Sequence, residues 1–235
     1  MKINEIVHQI VSKDTGKSIN LTIEMAIPTD PIRKMTFWHG TPTETIGKNI
    51  LKNGLKVSEV ESKSSLTPVK GANYVTPDIK YALIYGMGGN YPLGSSSAER
   101  DIPQYGENFY LFKINGDTLV DVQPDEDSVG ELIYSGKGPA WLISLAKKHL
   151  TENIYSKVKS GEYVYWARAG KKLVKKMTDS QKIDLIFNYG THVANFGVIY
   201  PDMAYKISRK DIKNMNPDGY NILDFAKTVA NGVKK

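Results

Sequence analysis

Strict alternation of apolar and polar positions is clearest at Ile19, Leu21, Ile23, Met25 and Ile27. It predicts a half-buried strand over 19–27, entered from a turn at Asp14-Thr15-Gly16-Lys17. Upstream, Ile3, Ile6, Val7, Ile10 and Val11 fit a helical face or a strand equally well. We read residues 1–34 as an N-terminal extension, a strand pair packed on the core and joined to it through Pro28-Thr29-Asp30-Pro31. The aromatic-rich run over 35–38 then reads as a short buried strand that delivers His39-Gly40-Thr41 at its end. A helix follows. Thr43 caps it, Ile46, Ile50 and Leu51 form its apolar stripe, and Asn53-Gly54 stops it. Residues 71–76 predict a second short strand carrying Tyr74, and Pro77 opens a helix with Ile79, Ala82 and Tyr85 on one face.

Residues 56–70 are polar and Ser-rich, hence a loop. Residues 86–107 are rich in Gly, Pro and Ser and predict a longer connection, of the kind that serves as a lid or binding loop. Strands are expected over 109–114 and 118–122, paired around an Asn115-Gly116-Asp117 turn. Ser128 is suited to cap a helix built on Val129, Leu132 and Ile133. Helical patterns over 141–150, 153–159, 163–176 and 180–189 make an insert of about residues 138–190. Strands are predicted again over 197–200 and 204–207, and Ile222, Phe225, Ala226 and Val229 offer a last amphipathic helix. The pattern as a whole is α+β.

At 235 residues the chain is long enough to bury a full core without covalent staples. It has no cysteine, which excludes disulfides and thiolate metal sites. Charged residues interrupt every apolar stretch near the N-terminus, so we expect neither a signal peptide nor a membrane span, and a cytoplasmic protein. The net charge of +6 favours anionic partners, yet only Arg33, Arg100, Arg168 and Arg209 are arginine among 31 basic residues. The run Lys171-Lys172-x-x-Lys175-Lys176 reads first as a solvated helix face, with nucleic-acid or acidic-partner binding as the alternative. No Gly-x-Gly-x-x-Gly, P-loop or His/Asp metal spacing appears, and no metal is expected.

The order His39-Gly40-Thr41, a helix ending Ile50-Leu51-Lys52-Asn53-Gly54-Leu55, then Gly71-x-x-Tyr74-x-Thr76 and Ala82-x-x-Tyr85 resembles the ADP-ribosyltransferase superfamily. The branch is the poly(ADP-ribose) polymerase-like one, also called H-Y-E or diphtheria-toxin-like. The likeness covers residues 36–86. It implies an α+β fold with a split antiparallel sheet over 35–235, NAD as co-substrate, and transfer of ADP-ribose to a protein or nucleic-acid acceptor with release of nicotinamide.

By that resemblance His39 orients a ribose hydroxyl, Gly40 meets the carboxamide through its backbone, Thr41 supports the turn, and Tyr74 and Tyr85 stack on the nicotinamide. Breaking the nicotinamide–ribose bond builds positive charge on the ribose, so the site also needs a carboxylate. Tyr200-Pro201-Asp202-Met203 is similar to the family's Tyr-Pro-Glu strand, which nominates Asp202 and, since chain elongation goes with glutamate there, a single ADP-ribose attachment. Glu131 and Asp125-Glu126-Asp127 are held in reserve. Glu59-Val60-Glu61 is similar to the E-x-E of the arginine-targeting branch but precedes the strands it should follow, and we read it as loop. His192 reads as a capped helix end. Two other functions stay open: an RNA 2′-phosphotransferase, whose first motif is also His-Gly-Thr-like, and a non-catalytic NAD or ADP-ribose binding module.

Overall fold

The structure, a computed structural model, describes residues 31–57, 71–87 and 106–208, together with the backbone of 4–11 and 18–25. The chain divides into two units, residues 1–30 and 31–235. In the first, β1 (Asn4–Val11) pairs antiparallel with β2 (Ser18–Met25), Asn4 opposite Met25 and Val11 opposite Ser18. The pairing resolves the ambiguity of the first segment in favour of strand. The second unit begins with a 3-10 turn, Pro31–Lys34, that buries Ile32 in the core. The predicted turn at 14–17, the loop residues 58–70 with Glu59-Val60-Glu61, the connection over 88–105 and the helix around 222–229 lie outside the described residues.

The second unit is α+β. Its strands are β3 (Thr36–Thr41), β4 (Asn73–Val75), β5 (Asn108–Asn115), β6 (Val122–Pro124), β7 (Val193–Asn195) and β8 (Met203–Ser208). They form two three-stranded antiparallel sheets, ordered β3-β5-β8 and β4-β7-β6. His39, Gly40 and Thr41 are the last three residues of β3, opposite Phe112, Leu111 and Tyr110, so the motif stands at the strand's end as expected. The helix α1 (Glu44–Asn53) is capped by the Thr43 hydroxyl and ends at Gly54, as its sequence implies. For α2 (Ile79–Met87) Pro77 stands ahead of the helix, and the Asp78 carboxylate accepts from the Lys80 N–H at 2.8 Å in the capping position.

Three expectations fail for identifiable reasons. The hairpin of 109–114 with 118–122 does not form, because β5 has two edges and β3 and β8 take both. The chain instead curls through Gly116–Thr118, passes Asp121 at φ 48, and supplies β6 to the other sheet. The segment around His192 is no helix end: α7 (Asp179–Tyr189) stops at Gly190, and β7 then runs between β4 and β6. All three β7 residues are buried, so no alternation marks it. Over 197–200 only Ile199 pairs, in a bridge to Leu55 with N···O distances of 2.7 and 3.1 Å.

The insert comprises α3 (Glu126–Ser135), α4 (Ala140–His149), α5 (Glu152–Lys159), α6 (Val164–Val174) and α7. Its own core holds Val129, Ile133, Leu142, Ala146, Leu173 and Leu185. Asp125, not Ser128, caps α3. The central strand β5 is buried on both faces: Tyr110, Phe112 and Ile114 meet Phe37, Ile50 and Val193, while Phe109 and Leu111 meet Ala82, Leu83 and Tyr205.

The sheets meet where Trp38 and Thr76 exchange backbone hydrogen bonds of 2.7 and 2.9 Å. A buried amide pair reinforces the β4-β7 side. The Asn195 amide donates to the Asn73 side chain (3.1 Å) and to the Gly197 carbonyl (2.7 Å), and its oxygen accepts from the Val120 N–H (2.6 Å). Asn73 in turn donates to the Leu55 and Gly197 carbonyls. Asn195 is fully buried, so its loss strands several polar groups without water. Asn195→Ala is therefore expected to cost about 2–4 kcal/mol in urea unfolding, against near zero for Asn188→Ala on the surface of α7.

Candidate active site at the divergence of the two sheets

The Trp38–Thr76 bridge is antiparallel and hydrogen-bonded, so the next hydrogen-bonded pair in register would be Gly40 with Tyr74. No bridge forms there. The Tyr74 carbonyl instead accepts from Nδ1 of the His39 imidazole at 2.9 Å. Because a carbonyl only accepts, Nδ1 carries the proton and Nε2 is left as an acceptor. Burial lowers the His39 pKa, partly offset by the Tyr74 bond, so the ring is neutral at pH 7. Successive residues in a strand direct their backbone groups to opposite sides. The N–H and C=O of Gly40 thus point to the same side as those of Trp38, toward β4 and away from β5.

Gly40 owes its lack of a side chain to packing. A Cβ there would lie 1.8 Å from the Ala82 carbonyl oxygen of α2. Thr41 is buried, and its hydroxyl has no hydrogen-bond partner among the described residues.

The two tyrosines converge on the start of α3. The Tyr74 hydroxyl donates to Glu126 Oε2 at 3.3 Å. Tyr85 projects from α2 with 47% of its surface exposed, and its hydroxyl is pushed up to about 12 by burial and by Asp125, Asp127 and Glu131. Asp125 is accounted for by capping, its carboxylate accepting from the N–H and hydroxyl of Ser128. Glu126 and Asp127 are not capping groups, though a helix N-terminus does favour their charge. Burial, then the adjacent Asp125 charge, pushes Glu126 up to about 7, with the Tyr74 hydrogen bond and Lys171 opposing. Asp127 is likewise raised to about 7, by burial and by Asp125 and Glu126, and its buried Oδ1 has no partner among the described residues.

The neighbouring elements hold this corner in place. Gly170 of α6 lies against α3 so closely that a Cβ would come within 2.0 Å of the Glu126 carbonyl oxygen. His192 accepts from the Asp125 N–H through its carbonyl (2.8 Å), donates its own N–H to the Ser128 hydroxyl (3.3 Å), and meets the Tyr81 ring edge-on at 4.7 Å. Its Nδ1 is 4.0 Å from Asp125 Oδ2. Tyr81, His192 and Gly170 were not legible as site neighbours, because nothing in the sequence ties α6 and β7 to α3. Glu126 was legible only as one of three adjacent acids.

Asp202 is elsewhere. Its carboxylate accepts from the Asn115 N–H at 2.6 Å, and its own N–H donates to the Lys113 carbonyl. Asn115 stands three residues beyond the Phe112 that faces His39, about 10 Å along the strand. Asp202 also lies on the β8 side of β5, so the structure does not bring it to His39. Glu131 sits on the exposed side of α3, within electrostatic reach of Tyr85. The corner thus gathers His39, Gly40, Tyr74, Tyr85 and Glu126. It offers an imidazole acceptor, outward backbone groups, two phenol rings and a carboxyl that titrates near neutrality.

No family model, curated protein or solved structure matches this chain. Among the described residues no three His, Asp or Glu side chains converge as metal ligands, and no helix is long and apolar enough to cross a membrane.

A carboxyl with a higher pKa folded than unfolded is bound to its proton more tightly in the folded state. Its contribution is neutral below its ordinary value of 4.5, grows unfavourable as pH rises toward 7, and is constant above. Glu126→Gln should leave stability unchanged near pH 4 and raise it at pH 8 by on the order of 2 kcal/mol, read from urea midpoints. An equal difference at both pH values would contradict the burial account.

Proposed function

We propose that the protein is an NAD-dependent ADP-ribosyltransferase that moves ADP-ribose to a macromolecular acceptor, protein or nucleic acid, and releases nicotinamide. The observation that carries this reading is the His39–Tyr74 bond at the point where two small antiparallel sheets part. It supports the split-sheet core expected from the His-Gly-Thr and Tyr motifs.

In this reading Nε2 of His39 accepts from a ribose hydroxyl, and the backbone of Gly40 meets the carboxamide. Tyr74 and Tyr85 offer aromatic faces to the nicotinamide ring. When the glycosidic bond breaks, its electron pair stays on the nicotinamide nitrogen and the ribose carbon becomes cationic. The acceptor's nucleophile bonds to that carbon and loses a proton. We assign the carboxylate to Glu126 in place of Asp202, since it touches Tyr74. Ionised, it opposes the developing cation; with a pKa near neutrality it is also fitted to take the proton.

Nicotinamide release and intact-mass spectrometry test the assignment. Incubation with NAD should add the mass of ADP-ribose to the protein or to an offered acceptor. His39→Ala is expected to lower turnover roughly a thousandfold and Glu126→Gln at least roughly a hundredfold, with Asp202→Asn close to the parent. Saturable NAD binding without nicotinamide release would replace the enzyme with a binding module, and no binding at all would end the NAD reading.

A further inference from the structure

The charge of this chain is segregated. Residues 136–190 carry eleven basic and four acidic residues, while the remainder holds 20 basic against 21 acidic. Residues 136–190, which hold α4 to α7, therefore account for the whole positive balance. Part of that charge has local employment: Lys157 pairs with Glu162, Lys182 with Asp179, and Lys159 donates to the Ile133 and Tyr134 carbonyls at the end of α3.

The solvent face of α6 is different. Ala167, Ala169, Gly170, Leu173 and Val174 are buried. At 3.6 residues per turn, Tyr165, Arg168, Lys171 and Lys172 fall within the opposite sector of roughly 120°, and Lys175 and Lys176 follow in the turn that ends the helix. The helix contains no acidic residue. Arg168, Lys172, Lys175 and Lys176 are exposed and form no ion pair among the described residues. Arg168 and Lys172 lie about 6 Å apart along the axis. One aromatic ring stands among them: Tyr165, half-buried, lies 6.0 Å from the Arg168 guanidinium and 5.9 Å from the Lys157 ammonium.

We propose that this face of α6 binds single-stranded nucleic acid. A row of unpaired cations follows a phosphate backbone, and the part-exposed phenol ring of Tyr165 at its N-terminal end accepts a base by stacking. An acidic protein segment would engage the charges but leave the Tyr165 ring without a role. The surface starts beside the candidate site, since Lys171 lies within electrostatic reach of Glu126 and Asp127. Binding here goes beyond the NAD reading and does not rest on it.

Fluorescence anisotropy with the full chain and labelled single strands of about 20 nucleotides, without NAD, tests the surface. With four phosphates neutralised, log affinity should fall against log salt with a slope near −3, or about 50-fold between 50 and 200 mM salt. Lys172→Glu with Lys176→Glu should weaken binding at least tenfold, whereas Lys52→Glu with Lys56→Glu, on exposed positions at the end of α1, should leave it within about twofold. Circular dichroism confirms that each variant is folded. The proposal is overturned if single strands do not bind near 50 mM salt, if the two charge reversals act alike, or if poly-glutamate or anionic vesicles compete as well as unlabelled strands.

Discussion

The structure turns on the point where β3 and β4 stop pairing. Trp38 and Thr76 exchange two backbone hydrogen bonds, and one step further the imidazole of His39 takes the carbonyl that a continued ladder would give to Gly40. A side chain thereby substitutes for a backbone donor, so the Tyr74 carbonyl stays satisfied while the strands separate. The backbone of Gly40 faces the gap so opened. The same bond fixes the imidazole tautomer, and burial keeps the ring neutral. Architecture and candidate chemistry thus depend on one interaction.

What lies across the gap is energetically unfavourable. Glu126 is 8% exposed, sits beside the Asp125 charge, and its carboxylate is met by the Tyr74 hydroxyl and its own backbone N–H, which do not offset the cost of burial. Its proton affinity rises to the physiological range in consequence, and Asp127 follows it. Capping accounts for Asp125 alone. Groups held at a cost in stability while their titration is moved to neutrality are what acid–base chemistry requires. The amide network of Asn73 and Asn195 is the counterpart: fully paired, buried, and holding three loop segments to β4 and β7.

The insert combines two environments on one helix. The inner side of α6, through Gly170, lets α3 approach and so sets the position of Glu126, while its outer side gathers uncompensated positive charge. Lys171, on the border between them, tempers the acidic corner. A helix that read first as merely solvated is therefore part of the wall behind the site.

Local signals wrote the single elements of this protein. Thr43 and Gly54 bound α1 because a cap and a left-handed stop act within one turn, the helices of the insert followed from their apolar period, and β3 and β4 with His39, Tyr74 and Tyr85 were marked by short motifs. Pairing was a different matter. The sequence favoured a hairpin after β5 and overlooked β7, because which edges of a strand are occupied is decided by segments nearly a hundred residues away, and a three-residue strand buried throughout carries no alternation. The carboxylate followed the same division. Asp202 was chosen by its neighbours in sequence, whereas Glu126 meets Tyr74 only because β6, closing the second sheet, delivers the start of α3 to that corner. Residue type and spacing determine what a segment is; only the packing of distant segments decides which chemical groups share a space.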